Sequence, residues 1–201
     1  QTINAYDVHV ADLDRDGHLD VVGAGSTVTP SSLSWFKNSG AADPSFSATT
    51  LGPAGGQGMY VDAEVGDLDS DGDLDIVTAS DRRGIEWFES DGATSPSFTS
   101  DTIWRDGMIG AGKDIDEVYI ADMDSDGDLD VVAAYKNTVA WFENDGASDP
   151  SWTKTDIVTN ASSASDVYIG DLDGDGDLDI ISTSAGNNSI AWYENDGAAD
   201  P

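Results

Sequence analysis

Short runs of alternating apolar and polar residues recur along the chain, and no stretch shows the 3.6-residue period of an amphipathic helix. One such run precedes each of four Asp-rich segments, and a β-branched run such as Ile76-Val77 follows each segment. An aromatic pair comes roughly ten to fifteen residues after each segment and leads into a turn of the type Asn-Asp-Gly. These signals predict short β-strands joined by turns. The aromatic pairs are Trp35-Phe36, Trp87-Phe88, Trp141-Phe142 and Trp192-Tyr193.

The whole pattern repeats four times, because the Asp-rich segments begin at Asp12, Asp67, Asp122 and Asp171, which are 55, 55 and 49 residues apart. Four short strands per repeat predict an all-β fold, a β-propeller built of four-stranded antiparallel blades. A β-helix would have shorter repeats, and a β-sandwich would lack the self-similarity. The predicted blades of this single array are residues 4–56, 57–108, 109–159 and 160–201, the last without its outer strand.

The two residues of each aromatic pair project from opposite faces of their strand, and neighbouring blades cover both faces of a blade. The pairs are therefore predicted to form the core between blades. A sugar-stacking platform made from these four Trp residues is the alternative interpretation. Trp104 lies outside the repeating pattern, so it is the better candidate for a surface contact.

Composition limits the partners. The 201 residues include 40 acidic and 8 basic side chains, which gives a formal net charge of −32. Such a charge repels nucleic-acid phosphates and anionic lipid headgroups, so neither is an expected partner. No apolar run reaches the length of a membrane span, so no membrane insertion is expected. The chain has no cysteine, which excludes disulfide bonds as a source of stability.

Each Asp-rich segment has the pattern D-x-D-x-D-G-x-x-D, and we number its positions 1 to 9. Carboxylates at positions 1, 3 and 5 of a tight loop converge on one point, and Gly at position 6 permits the sharp turn. Position 7 offers its backbone carbonyl, position 8 is a Leu that anchors the next strand in the core, and position 9 supplies a last carboxylate. The predicted carboxylate ligands are Asp12, Asp14, Asp16 and Asp20; Asp67, Asp69, Asp71 and Asp75; Asp122, Asp124, Asp126 and Asp130; and Asp171, Asp173, Asp175 and Asp179, with His18, Asp73, Asp128 and Asp177 at position 7.

Oxygen-only ligand sets with several carboxylates select a hard cation, and calcium accepts the irregular coordination that a loop offers better than magnesium does. About four calcium ions are therefore expected, one per repeat. The competing interpretation is that the loops are solvated acidic turns. Four carboxylates without a cation would repel one another, so folding is expected to depend on the metal.

The loops, together with the segment W-[FY]-[EK]-[NS]-[DS]-G that contains the aromatic pair, resemble the FG-GAP/VCBS repeat family. This family forms the blades of integrin α-subunit headpieces and of many bacterial and algal surface proteins. The resemblance covers essentially the whole chain and implies a β-propeller with calcium in loops at one face. The sequence lacks a clear Phe-Gly…Gly-Ala-Pro signature and looks closer to the VCBS branch, so integrin-like ligand binding is not inferred.

Family propellers commonly close with more than four blades. Four repeats could form a compact ring, an open arc or half of an eight-bladed dimer. An open arc would expose two apolar faces, so self-association or a larger parent chain is expected.

Catalytic chemistry is sparse in the sequence. The only histidines are His9, at a strand position held by Glu64, Tyr119 and Tyr168 in the other repeats, and His18 inside a loop. There is no cysteine nucleophile and no G-x-S-x-G motif. The chain is thus predicted not to be an enzyme.

The leading hypothesis is a non-catalytic calcium-binding scaffold or adhesion module, extracellular or at the cell surface, that mediates protein or glycan contacts. The alternatives are a calcium-dependent carbohydrate-binding lectin and the propeller domain of a larger carbohydrate-active enzyme.

Overall fold

The computed structural model describes residues 4–26, 31–52, 59–105 and 115–197. The regular structure within these ranges is entirely β: fifteen strands form four antiparallel sheets of four, four, four and three strands. No helix among these residues could cross a membrane. The predicted all-β class is confirmed. The chain divides into two compact units, each of which contains two of the sheets.

The first unit consists of Gln1–Asp67 and Gly72–Gly112. Each strand in its two sheets pairs with the strand that precedes it in the sheet, so both sheets are simple meanders. Val21 pairs with Phe36 in sheet 1, and Ile76 pairs with Phe88 in sheet 2, so the two sheets share one register. Sheet 1 contains β1 (Asn4–Ala11), β2 (Asp20–Ser26), β3 (Ser31–Asn38) and β4 (Phe46–Thr50), and sheet 2 contains β5 (Tyr60–Gly66), β6 (Asp75–Ser80), β7 (Gly84–Ser90) and β8 (Phe98–Trp104).

The second unit consists of Leu68–Asp71 and Lys113–Pro201 and repeats the same arrangement. Val131 pairs with Phe142 in sheet 3, and Ile180 pairs with Tyr193 in sheet 4, as in the first unit. Sheet 4 has three strands among the described residues. Sheet 3 contains β9 (Glu117–Ala121), β10 (Asp130–Tyr135), β11 (Thr138–Asn144) and β12 (Trp152–Val158), and sheet 4 contains β13 (Ala164–Gly170), β14 (Asp179–Ser184) and β15 (Ser189–Tyr193).

A hydrophobic core lies between the two sheets of each unit. Trp35 of sheet 1 belongs to one buried cluster with Ile76 and Phe88 of sheet 2. Trp141 of sheet 3 is likewise clustered with Val167 of sheet 4. These two Trp side chains are 4% and 1% exposed, and replacing either with Ala would cost about 3–5 kcal/mol of stability. The predicted burial of the tryptophans between repeats is confirmed at these positions, and Trp87 is also buried.

The burial prediction is wrong at Trp192, which is 51% exposed. Tyr193 packs against the core of the second unit, and successive side chains of a strand point to opposite faces, so Trp192 lies on the uncovered face of β15. The predicted anchoring of position 8 is also wrong at Leu19, which is 60% exposed, although Leu74 packs against the core of its unit. Trp104, the candidate for a surface contact, is partly buried at the end of β8 opposite Ile85. Its contact role stays a prediction.

Candidate metal centres

Each Asp-rich segment connects the first two strands of a sheet, and we call these segments loops 1 to 4 (residues 12–20, 67–75, 122–130 and 171–179). Two residues in every loop have left-handed backbone conformation, at positions 4 and 6. Gly tolerates this conformation without strain, whereas Arg15, Ser70 and Ser125 adopt it at position 4 with φ of 56°, 57° and 61°. Strained conformations of this kind persist only where the surrounding contacts fix them. The same backbone turn is therefore built into all four loops.

The position 1 carboxylate holds the turn closed from inside the loop. In loop 1, Asp12 accepts hydrogen bonds from the backbone N–H groups of Asp16 (3.1 Å) and Gly17 (2.9 Å). In loop 3, Asp122 accepts the same two bonds at 3.0 and 3.1 Å. Loop 2 keeps the bond from position 6, where the N–H of Gly72 lies 2.9 Å from an Asp67 oxygen.

The loops bring the predicted ligands together in sets of three. In each set one oxygen per carboxylate lies within 4.8 Å of the others, which is close enough to share one cation. Loops 1 to 3 assemble positions 1, 3 and 5, whereas loop 4 assembles positions 1, 3 and 9. The sets are Asp12, Asp14 and Asp16; Asp67, Asp69 and Asp71; Asp122, Asp124 and Asp126; and Asp171, Asp173 and Asp179.

These oxygen clusters fit a calcium ion on two further grounds. The Asp67 Oδ1 atom is inaccessible to solvent and has no hydrogen-bond partner, which is costly for a carboxylate oxygen unless a cation lies against it. Burial, and secondarily the charge of Asp126, raises the pKa of Asp124 above its ordinary value, so a cation beside this carboxylate would favour its ionised form. The donors are all hard oxygens, which calcium prefers. The predicted calcium ligands stay a prediction, with this geometry in support.

The position 9 carboxylate has a structural task that sequence reasoning missed. Asp130 is 1% exposed, and its two oxygens accept the backbone N–H groups of Met123 (3.0 Å) and Asn144 (2.9 Å). Asp179 makes the equivalent bonds to Leu172 (3.0 Å) and Asn195 (2.9 Å). Asp130 thus ties its loop to the end of β11, and Asp179 ties its loop to the residues that directly follow β15. Burial raises the pKa of Asp130 to about 6.

The position 7 side chains also make contacts that the loop pattern did not reveal. A Cβ atom built on Gly146 would overlap the Asp128 carboxylate, and one built on Gly40 would overlap the His18 ring. These glycines are in the turns that follow the aromatic pairs and have φ of +66° and +68°. The Gly of the Asn-Asp-Gly turn is thus required both for its backbone conformation and for room beside position 7.

Position 4 of one loop contacts position 7 of the next loop within each unit. In the first unit, the Arg15 guanidinium pairs with the Asp73 carboxylate. In the second unit, the Ser70 hydroxyl lies 3.3 Å from Asp128 Oδ1. Both side chains at position 7 belong to a residue whose carbonyl is a predicted metal ligand. Consecutive loops within a unit are therefore physically connected, which their sequence spacing did not indicate.

His9 belongs to a small cluster of titratable side chains in the first unit, together with Glu64 and Asp7. His9 Nδ1 lies 3.4 Å from Glu64 Oε2, and the Asp7 carboxylate accepts a hydrogen bond from the N–H of Ala63. Burial lowers the pKa of His9, and burial together with the charge of Asp7 raises the pKa of Glu64 to about 7.

The Glu64 carboxyl predicts a pH effect on stability. Its pKa is higher in the folded chain than its ordinary value of 4.5, so the folded state holds the proton more tightly than the unfolded state. Stability from this group is therefore fully present below pH 4.5 and is lost as the pH rises towards about 7. We expect Glu64→Gln to be more stable than the parent chain at pH 8 by about 1–2 kcal/mol, after allowance for solvent reaching the carboxyl, and equal to it near pH 4.5.

Thermal unfolding in a chelator, from pH 4.5 to 8, measures this difference without interference from bound metal. Asp43→Asn removes one exposed carboxyl in a turn and controls for the change in net charge. A Glu64→Gln difference that does not grow with pH would contradict the assignment.

A cavity of about 350 Å³ lies in the second unit between sheets 3 and 4. Its wall combines aromatic and polar side chains, which include Trp141, Thr155, Tyr193, Glu194 and Asn195. Surfaces of this composition bind small ligands through stacking and a few placed hydrogen bonds. Sequence reasoning placed Trp141 and Tyr193 in the core between repeats and did not predict a cavity there.

Comparison with known proteins identifies the repeat. The sequence profile of the FG-GAP-like repeat matches residues 12–78, 67–133 and 122–182, and each match begins at position 1 of a loop. No curated protein sequence matches significantly. Among solved structures, a lectin of Agrocybe aegerita that specifically recognises non-reducing terminal N-acetylglucosamine shares the fold, with a TM-score of 0.56 and 21% sequence identity. The similarity covers 94% of this chain and 52% of the lectin, so the chain spans about half of that lectin's length. The chain belongs to the FG-GAP-like repeat family.

Proposed function

We propose that the chain is a non-catalytic binding module of β-propeller architecture, in which calcium stiffens the loops of a framework that presents a protein- or glycan-binding surface. The observation that carries this proposal is the fourfold recurrence of a carboxylate cluster at the same place in each sheet. A recurrent cluster in equivalent loops serves the framework, because a catalytic centre needs to occur only once.

The propeller architecture is supported by the way consecutive sheets pack in each unit. The side chains of Ala63 and Val167 face the preceding sheet of their unit and are 1% and 2% exposed, whereas the equivalent Val8 is 61% exposed. Trp192 is exposed on sheet 4, where Trp35 and Trp141 are covered on their sheets. We propose that further sheets of the same kind cover Val8 and Trp192, either in a second copy or in a larger parent chain.

Calcium would be held by the carboxylates at positions 1, 3 and 5, or at positions 1, 3 and 9 in loop 4, and by the carbonyl at position 7. When bound, it would neutralise these groups and supply a bond between the two strands that each loop joins. The protein's own contribution is the preformed turn, closed by the hydrogen bonds to Asp12, Asp67 and Asp122.

An extracellular or cell-surface location suits such loops. Extracellular calcium modules bind with Kd values of about 10⁻⁴–10⁻³ M, so millimolar calcium keeps them largely filled. The formal net charge of −32 keeps the chain soluble and disfavours contacts with nucleic acid and anionic membranes.

A calcium-dependent lectin is the second candidate function, and the cavity between sheets 3 and 4 favours it. Tyr193 offers an aromatic face, and Thr155 and Glu194 offer hydrogen-bonding groups at the same wall. Sugars bind to such combinations of stacking and polar contacts. The lectin that shares the fold binds a terminal amino sugar, which makes terminal N-acetylglucosamine the first glycan to test.

A glycan array read in millimolar calcium and again in EDTA tests the proposed function. We expect glycan retention in calcium, its loss in EDTA, and no release of reducing sugar from any oligosaccharide. Thr155→Tyr fills the cavity and should abolish retention, whereas Thr153→Tyr, at an exposed position farther along the same strand that does not line the cavity, should leave it unchanged.

The other outcomes separate the candidates. An array without signal, combined with calcium-dependent stability, contradicts the lectin and favours a scaffold for protein contacts. Oligosaccharide cleavage would overturn the proposal of a non-catalytic module and favour a domain of a carbohydrate-active enzyme.

A further inference from the structure

Lys37 places its ammonium group inside loop 1. Its Nζ atom pairs with Asp14 and lies 3.4 Å from Asp16 Oδ2, so it contacts two of the three clustered carboxylates of this loop. The Asp14 side chain is fully buried, and that of Lys37 is 35% exposed. The ammonium is thus a cation supplied by the chain itself at the clustered carboxylates of loop 1.

The backbone next to Lys37 is fixed to the same loop. The N–H of Asn38 donates to Asp20 Oδ1 at 2.7 Å, and the Asn38 side-chain amide donates to the carbonyl of Leu19 at 2.9 Å. These two bonds hold the end of β3 against the last two residues of loop 1. The lysine therefore starts from a fixed point beside the carboxylates, and its contact with them is part of the fold.

The other three repeats have glutamate where the first has Lys37, directly after the aromatic pair. The register of the second and third strands is the same in all four sheets, so these residues are structurally equivalent. Loop 1 and Lys37 together carry four carboxylates and the lysine, while Arg15 of this loop pairs with Asp73 of loop 2. Each other loop with its glutamate carries six carboxylates and no basic residue of its own. The equivalent glutamates are Glu89, Glu143 and Glu194.

We infer that loop 1 is an internally neutralised site, in which the Lys37 ammonium takes the place of calcium, and that the chain binds three calcium ions tightly instead of four. This inference rests on the proposed binding of calcium by the other loops. Calcium requires six to eight oxygen ligands, and an ammonium that donates to Asp14 and Asp16 occupies oxygens that the ion needs. The positive charge at this distance also repels a divalent cation.

The affinity of loop 1 for calcium is therefore expected to be at least about tenfold weaker than that of loop 3. Lys37→Glu gives loop 1 the residue of the other repeats and should create a fourth tight site. Glu143→Lys makes the reverse change in loop 3 and should remove one site, leaving two. Lys37→Gln removes the charge without adding a carboxylate and should strengthen loop 1 by a smaller factor than Lys37→Glu does.

Calorimetric titration of the metal-free chain with calcium counts the sites, and the amide resonances of the position 6 glycines report each loop separately. The control Lys154→Glu changes the net charge equally on β12, where Lys154 pairs with Asp156, and should keep three sites. The expected result is that Gly17 responds at higher calcium than Gly72, Gly127 and Gly176 in the parent chain and together with them in Lys37→Glu.

Two results would overturn the inference. If Gly17 responds over the same calcium range as Gly127 in the parent chain, loop 1 is an ordinary site and only the inference fails. If no loop responds to calcium in any variant, the proposed function fails as well.

Discussion

Removing calcium is expected to lower the melting temperature of the chain by about 10–20 °C. Loops 2, 3 and 4 each gather three carboxylates, so their mutual repulsion opposes folding when the metal is absent. Calcium at about 20 times its Kd stabilises the folded state by about 1.8 kcal/mol per loop. Three loops give about 5 kcal/mol, and each kcal/mol corresponds to about 2–4 °C for a chain of this size.

Differential scanning calorimetry with millimolar calcium, and then with excess EDTA, measures this difference. Readdition of calcium should restore the transition, whereas magnesium should restore it only in part, because magnesium requires a compact octahedral site. Replacing both Asp122 and Asp124 with Asn should remove about a third of the effect, since it disables one of three loops. A transition unchanged by EDTA would favour solvated acidic turns.

The second large effect is expected for Asp130→Ala, which should destabilise the chain by about 3–5 kcal/mol even in EDTA. Asp130 is 1% exposed and accepts the backbone N–H groups of Met123 and Asn144. Alanine leaves both donors without a partner, and each unsatisfied donor costs about 1–3 kcal/mol. Asp130→Asn keeps one acceptor oxygen and should cost about half as much.

Asp126→Ala is the matched control for Asp130→Ala, because Asp126 belongs to the carboxylate cluster of the same loop but is exposed. In EDTA this variant should be as stable as the parent chain or slightly more so, and in calcium it should lose the contribution of loop 3. If Asp130→Ala and Asp126→Ala destabilise the chain equally in EDTA, the assignment of a structural role to position 9 and of a cation-binding role to position 5 is contradicted.

The strands and their sheets could be predicted from sequence because their signals are local. β-branched runs such as Val131-Val132, the turn residues, and the fourfold repetition identify each strand and its neighbour in the meander. The left-handed conformation of position 6 follows from Gly alone. The exposure of Trp192 could not be predicted in this way, because burial depends on whether another sheet covers its face.

The contacts that distinguish one repeat from another were not predicted, because they join residues that are distant along the chain. Lys37 lies outside loop 1, and the partner of His9 is Glu64 on a different sheet. Arg15 pairs with Asp73 of the next loop. A signal for the first contact was present, since aligning the four repeats shows lysine where the other three have glutamate. Position 9 gave no such signal, because Asp suits both a metal ligand and an acceptor for backbone N–H groups.

Anomalous diffraction from crystals of the full chain grown in calcium would show whether the Asp-rich loops are calcium sites. We expect an anomalous peak in each of loops 2, 3 and 4, about 2.3–2.6 Å from the clustered carboxylate oxygens and from the carbonyl of position 7. The clustered carboxylates are those of positions 1, 3 and 5 in loops 2 and 3 and of positions 1, 3 and 9 in loop 4. Loop 1 should contain the Lys37 ammonium in place of a peak. If calcium-grown crystals show no anomalous peak in loops 2, 3 and 4, the assignment of these loops as calcium sites is contradicted.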